Sequence, residues 1–421
     1  MFRAGMRRGP ALAVMALVCS GMAAAEVPSP EQMWEIIQAQ QRQIEDLQQR
    51  LAATNQRVDR TDQKVAETEE KVEITGDMIE EGGMSLAASW AERTSIGGYG
   101  ELHYNDLDSG SEMDFHRFVL FFGHQFNDRV RFMSELEIEH ALVGDGEPGE
   151  VEVEQAYVEL DLNDYHSAKA GLFLVPVGIL NETHEPPTFY GVERNPVESN
   201  IVPSTWWEGG AGMRGELAPG LGYDFTVTSG LDVPQEGSNA FRIRNGRQKV
   251  AEARAESLAY TGRLRWTGVP GVELAMTAQY QEDITQGDLD IGATLLEAHA
   301  AISRGPFGLR ALYARWDLDN AALIDGVDPA AAGRDRQEGW YVEPSLRGSL
   351  GDLAGEFGAF LRYNVWDNNA GANNATERKQ YNAGINYWPT QQVVFKLDFQ
   401  RQDNADGTDD DGFNLGVGYQ F

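Results

Sequence analysis

Cysteine is almost missing from this 421-residue chain, and its single copy, Cys19, falls within the first 25 residues. Those residues read as a secretory signal. Arg3, Arg7 and Arg8 form the charged end, Ala11–Val18 the apolar run, and Ala23–Ala25 the cleavage site. A chain cut there carries no thiol, so disulfides are excluded even in an oxidising compartment. Retaining Cys19 as a lipid-bearing first residue would place Val18 before the cut, a poor residue for that position. Long hydrophobic runs are also lacking. The mean hydropathy of −0.42 excludes a bundle of membrane helices. It does not exclude a membrane barrel, half of whose residues face water. Cations are scarce: 34 Lys and Arg against 66 Asp and Glu, a net charge of −32. That balance argues against nucleic acid as a partner. The seven histidines show neither zinc-protease spacing nor a paired short-range ligand pattern, so no metal or cofactor is expected.

What the chain does have is period two. Phe413, Leu415, Val417, Tyr419 and Phe421 alternate with Asn414, Gly416, Gly418 and Gln420. Similar alternation recurs from Ile96 onward, as in Phe357, Ala359, Leu361, Tyr363 and Val365. Such runs predict strands with one apolar and one polar face. About 16 of them, each near the roughly 9–11 residues of a tilted membrane strand, fit between residues 96 and 421. Their connections alternate in length. Asn127-Asp128, Asn163–Tyr165, Ala218–Gly220, Gly268–Pro270, Ser303–Gly305 and Pro389–Gln391 read as tight turns. Val233–Ala255, Asp317–Gln337 and Asp403–Asp411 read as long outward loops. Short turns on one side and long loops on the other are the habit of a transmembrane barrel. The expected fold is therefore all-β, a 16-stranded antiparallel transmembrane β-barrel. Trp206, Trp207, Trp266, Trp316, Trp340, Trp366 and Trp388 fall near predicted strand ends, where an interfacial girdle would lie.

Residues 31–79 differ in character. Ile37, Ile44, Leu51, Val58, Val65, Val72 and Ile79 recur every seven residues, which predicts an N-terminal α-helical coiled coil. Gln40, Thr54, Thr61, Thr68 and Thr75 make its second seam polar, so self-association is weak and leans towards trimers. A single amphipathic helix is the alternative. Residues 80–95 are the linker to the barrel.

One connection stands apart. Residues 176–208 are too long for a turn and too rich in Phe, Tyr, Trp and Ile for disorder. Two courses are open to it: folding inward as a pore constriction, or packing outside as a lid. As a constriction it would present Glu182, His184, Glu185, Glu193, Arg194 and Glu198. On the polar faces of the strands, Arg117, Arg131, Lys169, Arg214, Arg263, Arg265, Arg310, Arg362 and Lys396 are expected to face the lumen. Acids share those faces, among them Glu101, Glu135, Glu137 and Asp398. Gly210–Gly215 matches a dinucleotide-binding fingerprint but sits in a predicted strand with no following helix. His184 with Glu182 and Glu185 reads as a solvated polar loop before a metal site.

Gly98–Tyr104, Asp114–Phe122, Gly171–Gly178 and Pro203–Gly210 form a set of strand-like motifs. Together they resemble the phosphate-selective porin O/P family. The likeness covers about Ile96 to Phe421. It implies a trimeric 16-stranded porin of the Gram-negative outer membrane whose third loop enters the lumen. The leading coiled coil is similar to that of dicarboxylate-type porins, and is expected in the periplasm. The terminal alternation ending in Phe421 resembles the signal read by the barrel assembly machinery. Outer-membrane lipid and lipopolysaccharide would surround the wall. The expectation is a non-enzymatic diffusion pore for small hydrophilic solutes or ions. The family's phosphate pores have a basic constriction, whereas this insertion is acidic, so weak selectivity is expected. An anion- or phosphate-selective pore, or an anchor tethered to the cell wall, are the alternatives.

Overall fold

The computed structural model describes residues 90–319, 328–349, 351, 355–372 and 375–421. The expected signal (1–25) and coiled coil (31–79) lie outside the described residues, as does most of the 80–95 linker.

The first eight strands are β1 (Thr94–Leu107), β2 (Gly110–Gln125), β3 (Val130–Glu139), β4 (Val151–Asn163), β5 (His166–Leu174), β6 (Trp207–Ala218), β7 (Leu221–Thr228) and β8 (Ala259–Val269). The second eight are β9 (Val272–Gln281), β10 (Ala293–Arg304), β11 (Phe307–Leu318), β12 (Arg336–Gly348), β13 (Glu356–Asp367), β14 (Arg378–Thr390), β15 (Val393–Asn404) and β16 (Gly412–Gln420). Each pairs antiparallel with its neighbour in sequence, and β1 pairs with β16 from Tyr99↔Gln420 to Leu107↔Gly412. The sheet therefore closes, no edge is left unpaired, and every strand can sit in lipid with its ladder satisfied.

The sixteen strands fall where the period-two runs between residues 96 and 421 predict them. The main departure is the first hairpin, where β1 and β2 run on until only Asp108 and Ser109 separate them. There the side chains are exposed, so no apolar face marks the period in the sequence.

Two chemistries make the short turns. Asn127 Oδ1 accepts the amides of Arg129 and Val130 at 2.9 and 3.0 Å, and Asn163 Oδ1 repeats this with Tyr165 and His166. Elsewhere a left-handed glycine turns the chain. Gly271, at φ +74°, lies so close to the Ser303 carbonyl that a Cβ would meet it at 2.1 Å.

Burial is inverted relative to a water-soluble domain. Met276 is 70% exposed and Leu361 61%, on the outer wall, while Glu135, Glu137, Glu154 and Arg117 are buried on the inner wall. That is the signature of a wall solvated by lipid outside and lined by polar groups inside.

The interior also holds an apolar cluster. It joins Val175, Ile201, Val202 and Trp206 of the β5–β6 connection to Leu231, Phe241 and Ile243 of the β7–β8 connection. Leu295, Leu312, Trp316 and Tyr341 of the inner wall complete it. Thus the β7–β8 loop, expected to point outward, sends Phe241 and Ile243 down into the barrel. Its apolar side chains gain more by joining this cluster than by facing water.

Candidate functional site

The β5–β6 insertion begins and ends at one knot. Val175 N donates to Trp206 O at 3.0 Å. Asn181, wholly buried, donates from Nδ2 to both Val175 O and Trp206 O, and accepts from Trp206 N at 2.7 Å. One side chain thus satisfies three backbone groups that the ladder abandons where the chain leaves the wall.

From this knot the segment reaches much of the ring. Trp316 Nε1 of β11 donates to Ile201 O at 3.0 Å, and Tyr341 of β12 to Glu198 at 2.7 Å. Asn386 of β14 donates to Tyr190 O, and Lys396 of β15 to Gly191 O. The Val192 amide donates to Asp398 of β15, Glu193 accepts from Asn105 of β1, and Arg263 of β8 pairs with Glu182. A single segment can touch walls on so many sides only from inside the barrel.

The six insertion residues are not equivalent. Glu198 is fully buried and does not line open space. Its Oε1 accepts the amides of Ile179 and Leu180 at 2.6 and 2.7 Å, and its Oε2 accepts from Asn195 and Tyr341. Four donors make that buried carboxylate tolerable, and it shapes the insertion from within. Glu182 is held by Arg263. Glu193 sits 2.9 Å from His103 Nδ1. Burial alone would raise the Glu193 carboxyl, but the His103 hydrogen bond and charge hold it down at about 2. His184 is buried against Glu135 and Glu154 of the wall, not beside Glu182 and Glu185. Glu185 makes its hydrogen bonds through its carbonyl, which accepts from Thr188. Arg194 Nη1 donates to Thr205 Oγ1 at 3.1 Å, and its Nη2 is buried without a partner.

The predicted wall cations mostly face acids. Arg117 contacts Glu101 and Glu137 at 2.9 and 3.0 Å. Arg131 bridges Glu159 and Asp161, and Arg214 shares Glu159. Arg263 pairs with Asp224 as well as Glu182, and Arg362 with Glu343 at 3.3 Å. Arg265 lies 3.9 Å from Glu273. Lys169 lies over the Phe173 ring and Lys396 over the Phe189 ring. Arg310 donates to Thr188 O. Paired in this way, the wall arginines contribute little net positive field.

Further cations without a carboxylate partner lie off the wall. Arg242, Arg244 and Arg247 stand on the descending β7–β8 loop. Arg242 donates to Asn200 Oδ1 and Arg247 to Thr205 O, both in the insertion. The Nε groups of all three are buried without acceptors. Among the described residues, neither these three nor Arg194 has a carboxylate within ion-pair distance. Burial, with Arg244 and Arg194 nearby, pushes the Arg247 guanidinium down to about 10. Burial and repulsion from Arg242 and Arg194 also lower Arg244. These four guanidiniums form one electropositive group where the loop meets the insertion. Three of them stand on a loop whose length and polarity alone predict an outward course. A contrary signal was present: Phe241-Arg242-Ile243-Arg244 alternates apolar with basic.

A closed 16-stranded wall, apolar outside and charged inside, with a loop folded into its lumen, defines an outer-membrane channel. Residues 96–421 match the family described as phosphate-selective porin O and P, and the chain belongs to that family. It is a porin, a passive diffusion channel. A relative in Aquifex aeolicus (strain VF5), described as an uncharacterized protein, is 31% identical over 351 residues, covering 78% of this chain and 80% of its own. The fold is similar to an anion-selective porin from Comamonas acidovorans, with TM-score 0.54 at 12% identity over 78% of this chain and 99% of that one. It is also similar to the outer membrane channel DcaP of Acinetobacter baumannii, with TM-score 0.51 at 12% identity over 78% and 97% of the two chains.

Proposed function

We propose that this porin favours anions, despite its net charge of −32. The observation that carries this reading is the group Arg194, Arg242, Arg244 and Arg247, cations without carboxylate partners in a barrel where Arg117, Arg131, Arg214, Arg263 and Arg362 of the wall are paired with acids. Where a pore narrows, separations fall below the screening length of about 8 Å in physiological salt, so unpaired charge there outweighs acid elsewhere. Phosphate, which the family's description names, is the physiological candidate. A guanidinium can hold it through two parallel hydrogen bonds. The anion-selective porin with a similar fold supports the same direction.

Assembly belongs to the same proposal. A homotrimer fits the family and the trimer form of Vibrio cholerae OmpT, whose fold is similar. Residues 31–79 would extend into the periplasm as a coiled coil.

Bilayer recordings of the wild type and of an Arg242→Gln, Arg244→Gln, Arg247→Gln variant test the reading. The variant should lose most of the anion preference while keeping an open channel. An unchanged preference would show that these arginines do not set it.

A further inference from the structure

Buried where the insertion meets the β3–β4 wall, one imidazole and two carboxylates converge. His184, Glu135 and Glu154 are 3%, 1% and 0% exposed. One ligand atom of each lies within 4.8 Å of the other two. His184 Nε2 is 3.6 Å from Glu135 Oε1 and 3.7 Å from Glu154 Oε2.

These separations are too long for hydrogen bonds. A charge-assisted N–H···O contact closes to about 2.7–2.9 Å. They suit a shared ion better. Two ligands each about 2.1 Å from a tetrahedral metal stand roughly 3.4 Å apart. The inner atoms are without partners: His184 Nε2, Glu135 Oε1 and both Glu154 oxygens are buried with no hydrogen bond. Orphaned buried polar atoms are costly, and three of them, one from each residue, converge closely enough to share an occupant.

The outer atoms of two ligands are anchored, as supported metal ligands are. His184 Nδ1 lies 3.1 Å from Asn181 O, which makes Nδ1–H the donor there and turns Nε2 towards the carboxylates, free to lose its proton to a metal. Gln155 Nε2 donates to Glu135 Oε2 at 2.6 Å, turning Oε1 inward. The nearby Arg117 is committed to Glu101 and Glu137.

We propose that Glu135, Glu154 and His184 bind one divalent transition-metal ion of the zinc class, which pins the insertion to the β3–β4 wall. One imidazole nitrogen and two carboxylate oxygens form a borderline donor set suited to zinc. The ion cancels two buried negative charges and joins residues that are far apart in sequence. This inference is independent of ion selectivity.

The test uses the full-length protein in detergent, stripped with a chelator and titrated with zinc. One zinc should bind per chain. Glu154→Gln and His184→Gln should each weaken binding by at least about tenfold, the lower end of what disturbing a ligand's supporting shell already costs. Binding that is absent, or equal in both variants and wild type, overturns the proposal. Should the variants fail to assemble, zinc-edge anomalous diffraction from wild-type crystals decides. A peak between the three side chains supports the site. No peak there overturns it, and leaves an imidazolium bridging two carboxylates.

Discussion

Tyr341 of β12 donates its hydroxyl to Glu198 of the insertion at 2.7 Å, across 143 residues of chain. Both side chains are buried. The bond ties the inner loop to the wall opposite the strands it leaves, and it gives Glu198 one of its four donors.

Tyr341→Phe should therefore destabilise the insertion without changing selectivity. It strips one donor from a buried carboxylate, at a cost of about 1–3 kcal/mol. A lower unfolding temperature with an unchanged reversal potential is the expected pair of results. A shifted potential would mean that Glu198 faces the ion path.

Gly178→Ala should disturb the same carboxylate from the other side. Gly178 is left-handed at φ +70°, and a Cβ there would stand 2.6 Å from Glu198 Oε1. The backbone penalty alone is about 1–2 kcal/mol. Noisier single-channel currents and a lower unfolding temperature are expected; wild-type values for both would show that the loop relaxes freely.

On the outer wall, Met276→Arg should impair insertion into bilayers. Met276 lies mid-strand in β9 and is 70% exposed. An arginine facing lipid costs about 2–4 kcal/mol near the bilayer centre. Refolding into vesicles under a urea titration would read the loss. No loss would place this face against a neighbouring subunit or in water.

The barrel was legible because a lipid-facing wall leaves a period-two signature in each strand. Phe357, Ala359 and Leu361 announce β13 without knowledge of its neighbours. The inner wall was legible as well: Arg117, Arg263 and Arg362 have inward parity. Their pairing was not. Whether Arg117 meets Glu137 depends on the register of β2 against β3 and on the neighbouring strand β1, and no local pattern encodes that. Loop charge was harder still. Glu198 reads as one more acid in an acidic insertion, yet backbone amides enclose it. Arg244 reads as one more cation in a polar loop, yet Phe241 and Ile243 draw it inside. His184 has acids two residues before and one after it in sequence, but its neighbours in space come from β3 and β4.

Single replacements should separate the loop cations from the insertion acids. Arg244→Gln should shift selectivity towards cations, because Arg244 has no carboxylate within ion-pair distance and its Nε is without an acceptor. Glu198→Gln should leave selectivity nearly unchanged and lower stability, since its charge is spent on backbone amides. Reversal potentials in a tenfold salt gradient check both. Equal shifts from the two replacements would mean that burial does not decide which charges the ions meet.

If the guanidiniums of Arg194, Arg242, Arg244 and Arg247 govern the ion path of this acidic protein, the wild-type channel in an asymmetric potassium chloride gradient will show a reversal potential of the sign of a chloride-preferring pore. A potential of zero, or of the cation-preferring sign, would rule that out.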